Sequence, residues 1–159
     1  VCLEVARQLA NENIPFWVVF TGSEESGTNG ALAFEKKYRS IIGESFILNC
    51  DNCGAGHLVA ASKEGMWSVF NSDRRLIEQV KEVSHHLSLP IEIRPYLGLS
   101  TDATPFLARG YRALTFIALN KKGLPVNWHW KTDTIDAVEP ENLISTSNLI
   151  CSLLHSIPK

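Results

Sequence analysis

The sequence predicts an α/β fold, a sheet sandwiched between helices on both faces, and three observations predict it. Short apolar runs such as FWVVF (Phe16–Phe20) and SFILNC (Ser45–Cys50) have the length and composition of buried strands. Other segments place their apolar residues at helical spacing, as Leu76, Ile77, Val80 and Val83 do. The two patterns alternate along the chain, and alternation of this kind builds layers of helix on sheet.

The elements follow in order. Leu3, Val5, Ala6, Leu9 and Ala10 form one helical stripe, ending near residues 11–13. The chain opens at Val1 already in this pattern and without an initiator Met, which reads as a piece cut from a longer protein. Ile14-Pro15 leads into the strand Phe16–Phe20, and a polar loop, Thr21–Thr28, follows. Asn29 is a candidate cap for a helix to about Tyr38 that turns Ala31, Leu32 and Phe34 inward. Ser45–Cys50 is the next strand, closed by Asp51-Asn52-Cys53-Gly54. His57–Ala61 and Met66–Phe70 predict two strands with a turn at 63–65. Ser72-Asp73 begins a helix to about Leu87, and Ile91–Arg94 is a strand. Pro105–Arg109 predicts a short helix stopped by Gly110, and Ala113–Ala118 another strand. Pro140–Leu154 closes the chain as a helix, with Pro140 suited to the first turn.

No linker, repeat or low-complexity segment divides the 159 residues, so residues 1–159 read as one domain. At 45% hydrophobic and 20% charged residues it can bury a core without staples. A net charge of -2 excludes the basic field of a nucleic-acid binder. No apolar run approaches the ~20 residues of a membrane-spanning helix. The four cysteines are too sparse for a disulfide scaffold, and Cys50-Asp51-Asn52-Cys53 has no second CxxC to complete a zinc knuckle; they read as ordinary structural residues.

The chemistry concentrates in three places. Glu24 and Glu25 lie just past one strand, and Asp51 just past the next. Sites in open α/β sheets form in the crevice beyond the carboxyl ends of strands. Three carboxylates there repel one another unless a cation sits between them. Later in the chain His129 stands between Trp128 and Trp130, with Asp133 four residues on. Carboxylates and neutral imidazole are zinc ligands, and a carboxylate left uncoordinated can take a proton from water. Each residue alone has a plainer reading: a solvated Glu pair, a turn aspartate, a packed loop histidine, and a helix cap for Asp102.

Taken together, four segments resemble the M28 family of zinc peptidases. They are Ser23-Glu24-Glu25-Ser26-Gly27, Asn49-Cys50-Asp51, Thr101-Asp102-Ala103-Thr104-Pro105-Phe106, and His129-Trp130-Lys131-Thr132-Asp133-Thr134 before a PENL run. Their order and spacing agree with the family over essentially the whole chain. The resemblance implies a three-layer α/β/α sandwich with a central mixed, mostly parallel sheet. It implies Glu24 as general base and Glu25 and His129 as ligands of one metal, with Asp51 a ligand of the other. Asp102 and Asp133 are expected to support the metal or the substrate. The family's upstream histidine and metal-bridging aspartate have no counterpart here, since His57, His85, His86 and His155 occupy other positions. The chain is therefore expected to be N-terminally truncated. The cofactor implied is Zn2+, two per site in the intact family and one or none in this shorter chain.

The activity implied is exopeptidase action of the aminopeptidase type on peptides or small proteins, by a metal-activated water. The resemblance favours an exported or extracellular location. Two other functions fit the same residues: a single-zinc acyltransferase of the glutaminyl cyclase kind, and a peptidase-like binding domain without catalysis. Trp128 and Trp130 read either as an apolar specificity pocket or as core.

Overall fold

The computed structural model describes residues 1–157. Five strands form one mixed sheet: β1 (Phe46–Asp51), β2 (His57–Gly65), β3 (Phe70–Asn71), β4 (Glu92–Leu97) and β5 (Arg112–Leu119). Strand β5 runs parallel to β1 on one side and antiparallel to β2 on the other. β2 also carries β4 in parallel and β3 antiparallel. Among the described residues, parallel and antiparallel pairings are thus equal in number. β5 is central because Ala113–Leu119 is apolar apart from Thr115 and buried throughout, as a strand covered on both faces requires.

The helices are α1 (Cys2–Gln8), α2 (Asn29–Ile42), α3 (Arg74–His86), α4 (Thr104–Leu107) and α5 (Pro140–Ser156), with a 3₁₀ turn at Ile135–Ala137. Side chains alternate across a strand, and β5 shows what each face meets. Leu114 and Phe116 pack with Val5, Leu9, Leu76, Val80, Leu149 and Leu153, the inner stripes of α1, α3 and α5. Ala113 packs with Ala31, Ile42, Phe106 and Leu107 of α2 and α4. Ile117 and Leu119 join Val59, Ala61 and Tyr96. The predicted sandwich is what forms.

The helix starts differ in how they are capped. Asp73 caps α3, its Oδ1 accepting from the Leu76 N–H at 3.0 Å. At α2 the N-cap is Thr28 in a left-handed conformation (φ 54°), not Asn29. Asn29 is the first helical residue, and its Nδ2 donates to the Ser26 carbonyl at 2.9 Å.

Two predicted strands are absent. Phe16–Phe20 lies outside the sheet: no neighbour among the described residues pairs with it. Its Trp17 instead meets Tyr38 of α2 edge-on, ring centres 5.5 Å apart. Met66–Phe70 is also not a strand. β2 does not turn at residues 63–65 but runs on to Gly65, whose carbonyl accepts from the Gly98 N–H at 3.1 Å, and only Phe70 and Asn71 pair back.

His155 near the end of α5 ties this layer to the segment after α1. Its Nδ1 donates to the Cys151 carbonyl at 2.7 Å, and its Nε2 meets Glu12 at 2.5 Å. The carbonyl bond first, then Glu12, raises the imidazole above its ordinary 6.5. A raised histidine binds its proton more tightly folded than unfolded, so its contribution is complete below 6.5 and lost as pH rises through the folded value. Melting temperature should therefore decline over this window, and His155→Gln should flatten that decline.

Candidate active site

β1 and β5 are parallel and end at the same edge of the sheet, Asp51 standing opposite Ile117. Asp51 ends β1 there and His129 lies on the loop after β5, in the crevice where such sheets bind ligands. Glu24 and Glu25, by contrast, come from the loop between Phe16–Phe20 and α2. The loop before α2 is closed on itself by backbone bonds. The Gly27 and Thr28 N–H groups donate to the Glu24 carbonyl at 2.9 and 2.8 Å, Asn29 to Ser23 at 3.1 Å, and Gly30 to Gly22 at 3.0 Å. Glu24 and Glu25 are therefore held on a rigid ring rather than waving in solvent. Glu24 is half-buried and Glu25 exposed, so the pair diverges as adjacent side chains on a turn do.

His129 arrives from the loop after β5. Its Nε2 lies 2.7 Å from Glu25 Oε1, across 104 residues of sequence. The imidazole stacks on Trp128, ring centres 4.2 Å apart. Thr132 Oγ1 donates to Asn127 Oδ1 at 2.9 Å and keeps this loop folded. Trp130 is 76% exposed, so Trp128 supports the histidine while Trp130 is neither core nor pocket wall.

Asp102 reaches the same place from the turn before α4, its Oδ2 accepting from Thr21 Oγ1. Its cap role is not realised: Ala103 stands at the helix start with no side-chain bond. Asp133 is exposed, and its backbone N–H donates to the Trp130 carbonyl at 3.0 Å.

The electrostatics match the crowding. Burial first, then the charges of Asp51, Glu25 and Asp102, push Glu24 above the usual carboxylate range. Burial first, then Asp102, Glu64 and Glu25, push Asp51 up as well. Tyr96, buried on β4, is raised by burial and then by Asp51 and Glu64. Negative charge accumulates here, opposed on Glu24 by His129, and a divalent cation relieves a field of this kind.

Sequence reading missed two features. Glu64 of β2 is wholly buried beside these acids. Backbone strain also gathers here: Ser23, Thr28, Asn52, Asn127 and His129 all have φ between 43° and 60°. Each non-glycine residue so placed costs on the order of 1 kcal/mol, and such strain clusters at functional sites. Asn52 and Asn127 carried a readable signal, since Asn tolerates this conformation; Ser23 and His129 carried none.

A family model for peptidase family M28 matches residues 1–154. The chain belongs to peptidase family M28. Solved structures agree with the fold of this M28 chain. The LapA aminopeptidase of Legionella pneumophila superposes with a TM-score of 0.78 at 15% identity, over 97% of this chain and 43% of that one. BSAP, a zinc aminopeptidase of Bacillus subtilis, gives 0.77 at 18% identity, over 98% and 39%. An Acidobacteriales bacterium glutaminyl cyclase gives 0.61 at 16% identity, over 81% and 45%. The M28 chain thus spans less than half the length of each. No curated protein sequence matches it.

Proposed function

We propose that the M28 chain is the part of an aminopeptidase-type zinc exopeptidase that supplies the general base and part of the metal shell. The observation that carries this is the meeting of Glu25 and His129 beside Glu24. An acid and an imidazole 104 residues apart in sequence come to 2.7 Å on two strained loops. The titles of the LapA and BSAP structures, an aminopeptidase and a zinc aminopeptidase, support the same class.

The donor chemistry suits zinc. Glu25 and His129 would hold it, and Asp51 is the acid within electrostatic reach of them. Among the described residues, no group of three or more His, Cys, Asp or Glu side chains is already set out around one point, so this chain offers an open donor pair and a field rather than a closed cage. Zinc, when bound, supplies a Lewis acid that polarises the scissile carbonyl and acidifies water.

The chain's own residues do the rest. Glu24, raised above the usual carboxylate range, takes the proton of the attacking water and returns it to the leaving amine. The backbone ring of Gly22–Gly30 holds that carboxylate still while Glu25 turns away toward His129. Asp102, tied to Thr21, fixes the loop from the other side.

Assay of the protein in its native polypeptide tests this reading, with aminoacyl reporters beside peptides that begin with Gln. Chelator-sensitive release from aminoacyl reporters is the expected result. Cyclisation of N-terminal Gln without that release would make the protein an acyltransferase, and neither activity would leave a binding domain. His129→Ala should weaken Zn2+ binding by about tenfold or more, measured by calorimetric titration, and lower turnover with it.

A further inference from the structure

Glu64 is a wholly buried carboxylate (0% exposed) to which the reaction above gives no task. The register of β2 against β4 shifts between Ala61 and Glu64, and a bulge of this kind re-aims a side chain. Glu64 Oε1 accepts from Thr101 Oγ1 at 2.8 Å and from Thr104 Oγ1 at 2.6 Å. Its Oε2 has no hydrogen-bond partner, and no Lys or Arg among the described residues pairs with it. One carbonyl oxygen accepts two hydroxyls, so glutamine would satisfy both threonines equally well. What glutamine lacks is the negative charge, and burying that charge is costly.

The charge lies where it can act. Thr101 Oγ1 also meets Thr115 Oγ1 at 3.1 Å, and Asn49 Nδ2 donates to Thr115 Oγ1 at 3.4 Å. Asn49 and Asp51 are two apart on β1 and share one face, about 7 Å apart along the strand. The chain Glu64–Thr101–Thr115–Asn49 therefore runs beneath Asp51. Thr101 also precedes Asp102, whose Oδ1 is the other buried carboxylate oxygen left without a partner.

We propose that Glu64 is a positioning residue of the cation centre. Its Oε1 fixes the Thr101–Thr104 turn that carries Asp102, and its buried charge strengthens the field that draws a divalent cation to Glu25, Asp51 and His129. The proposal rests on the cation reading of the site.

Calorimetric titration with Zn2+ and thermal melts of the metal-free protein test it together. Glu64→Gln keeps the acceptor and removes the charge. It should raise the Zn2+ Kd about tenfold or more while the metal-free protein melts no lower than wild type. Glu64→Ala removes both, and should lose affinity and melting temperature alike. A purely architectural Glu64 would leave the Kd of Glu64→Gln at the wild-type value, and that result overturns the proposal. Thr104→Val gives a second test should Glu64→Gln not fold. It strips one donor from Oε1 and the acceptor of the Thr101 N–H at 3.0 Å, loosening the turn that carries Asp102. The Kd must therefore rise here too, and an unchanged Kd refutes the role. Wild-type protein that takes up no Zn2+ brings down the cation centre and this inference together. Wild-type binding matched by Glu64→Gln brings down the inference alone.

Discussion

Glu24→Gln should lower turnover by about 10²–10⁴-fold and leave the Zn2+ Kd within about twofold of wild type. The substitution preserves shape and volume, so the Gly22–Gly30 ring that carries the residue has no reason to open. It removes the one acid on that ring that is both raised and half-buried. Glu25 cannot take over, because its Oε1 is engaged by the imidazole at 2.7 Å. The separation of the two readouts is the point of the experiment. Loss of both turnover and zinc would make Glu24 a ligand, and loss of neither would remove it from the reaction.

The division of labour between the two glutamates comes from the resemblance to M28. What strand ends made legible is the place of Asp51 at the end of β1, while the strand expected before Glu24 and Glu25 does not form. β1 and β5 were readable from SFILNC and from Ala113–Ala118, and their parallel pairing puts Asp51 at the edge where the other loops gather. The longer helices were readable for the same kind of reason, α3 most plainly, since it buries Leu76, Ile77, Val80 and Val83 as one stripe. Where the reading failed, the deciding contact was not local. Phe16–Phe20 has every mark of a strand, yet strand formation needs a partner edge, and no described residue supplies one. Met66–Phe70 looked equally strand-like, but Met66, Trp67 and Val69 are exposed, and the chain bends back through residues 66–69 after β2 ends at Gly65.

Glu64 was missed for a subtler reason. The sequence places residues 63–65 in a turn, where a glutamate belongs in solvent. β2 instead runs on through Glu64 with a register shift against β4, and the two partners of its carboxylate are threonines 37 and 40 residues away. The same holds for Asp102, expected as a cap and found bonded to Thr21 across 81 residues. Buried polar networks are specified by tertiary contacts, so pattern in one sequence does not announce them.

Gly30→Ala should lower stability by about 1–3 kcal/mol and abolish Zn2+ uptake, although it places alanine, the best helix former, in the first turn of α2. A Cβ at Gly30 would sit 2.3 Å from the Gly22 carbonyl oxygen and 2.6 Å from its nitrogen, and both are backbone atoms that cannot swing aside. The bond that would be forced apart, Gly30 N–H to Gly22 O at 3.0 Å, is the outermost of the four that close the loop around Glu24 and Glu25. Relief of the clash therefore moves the acids themselves. Gly43→Ala at the other end of α2 is the internal control, because its Cβ would meet only Arg39 O at 3.4 Å in a helical backbone. That change should be neutral or stabilising by up to about 1 kcal/mol. Chemical denaturation and zinc titration of the two variants separate helix propensity from loop closure. If Gly30→Ala melts like Gly43→Ala and still takes up zinc, then the Gly22–Gly30 contact is not what holds the two glutamates in place. In that case the rigidity of the site must come from the His129 loop alone.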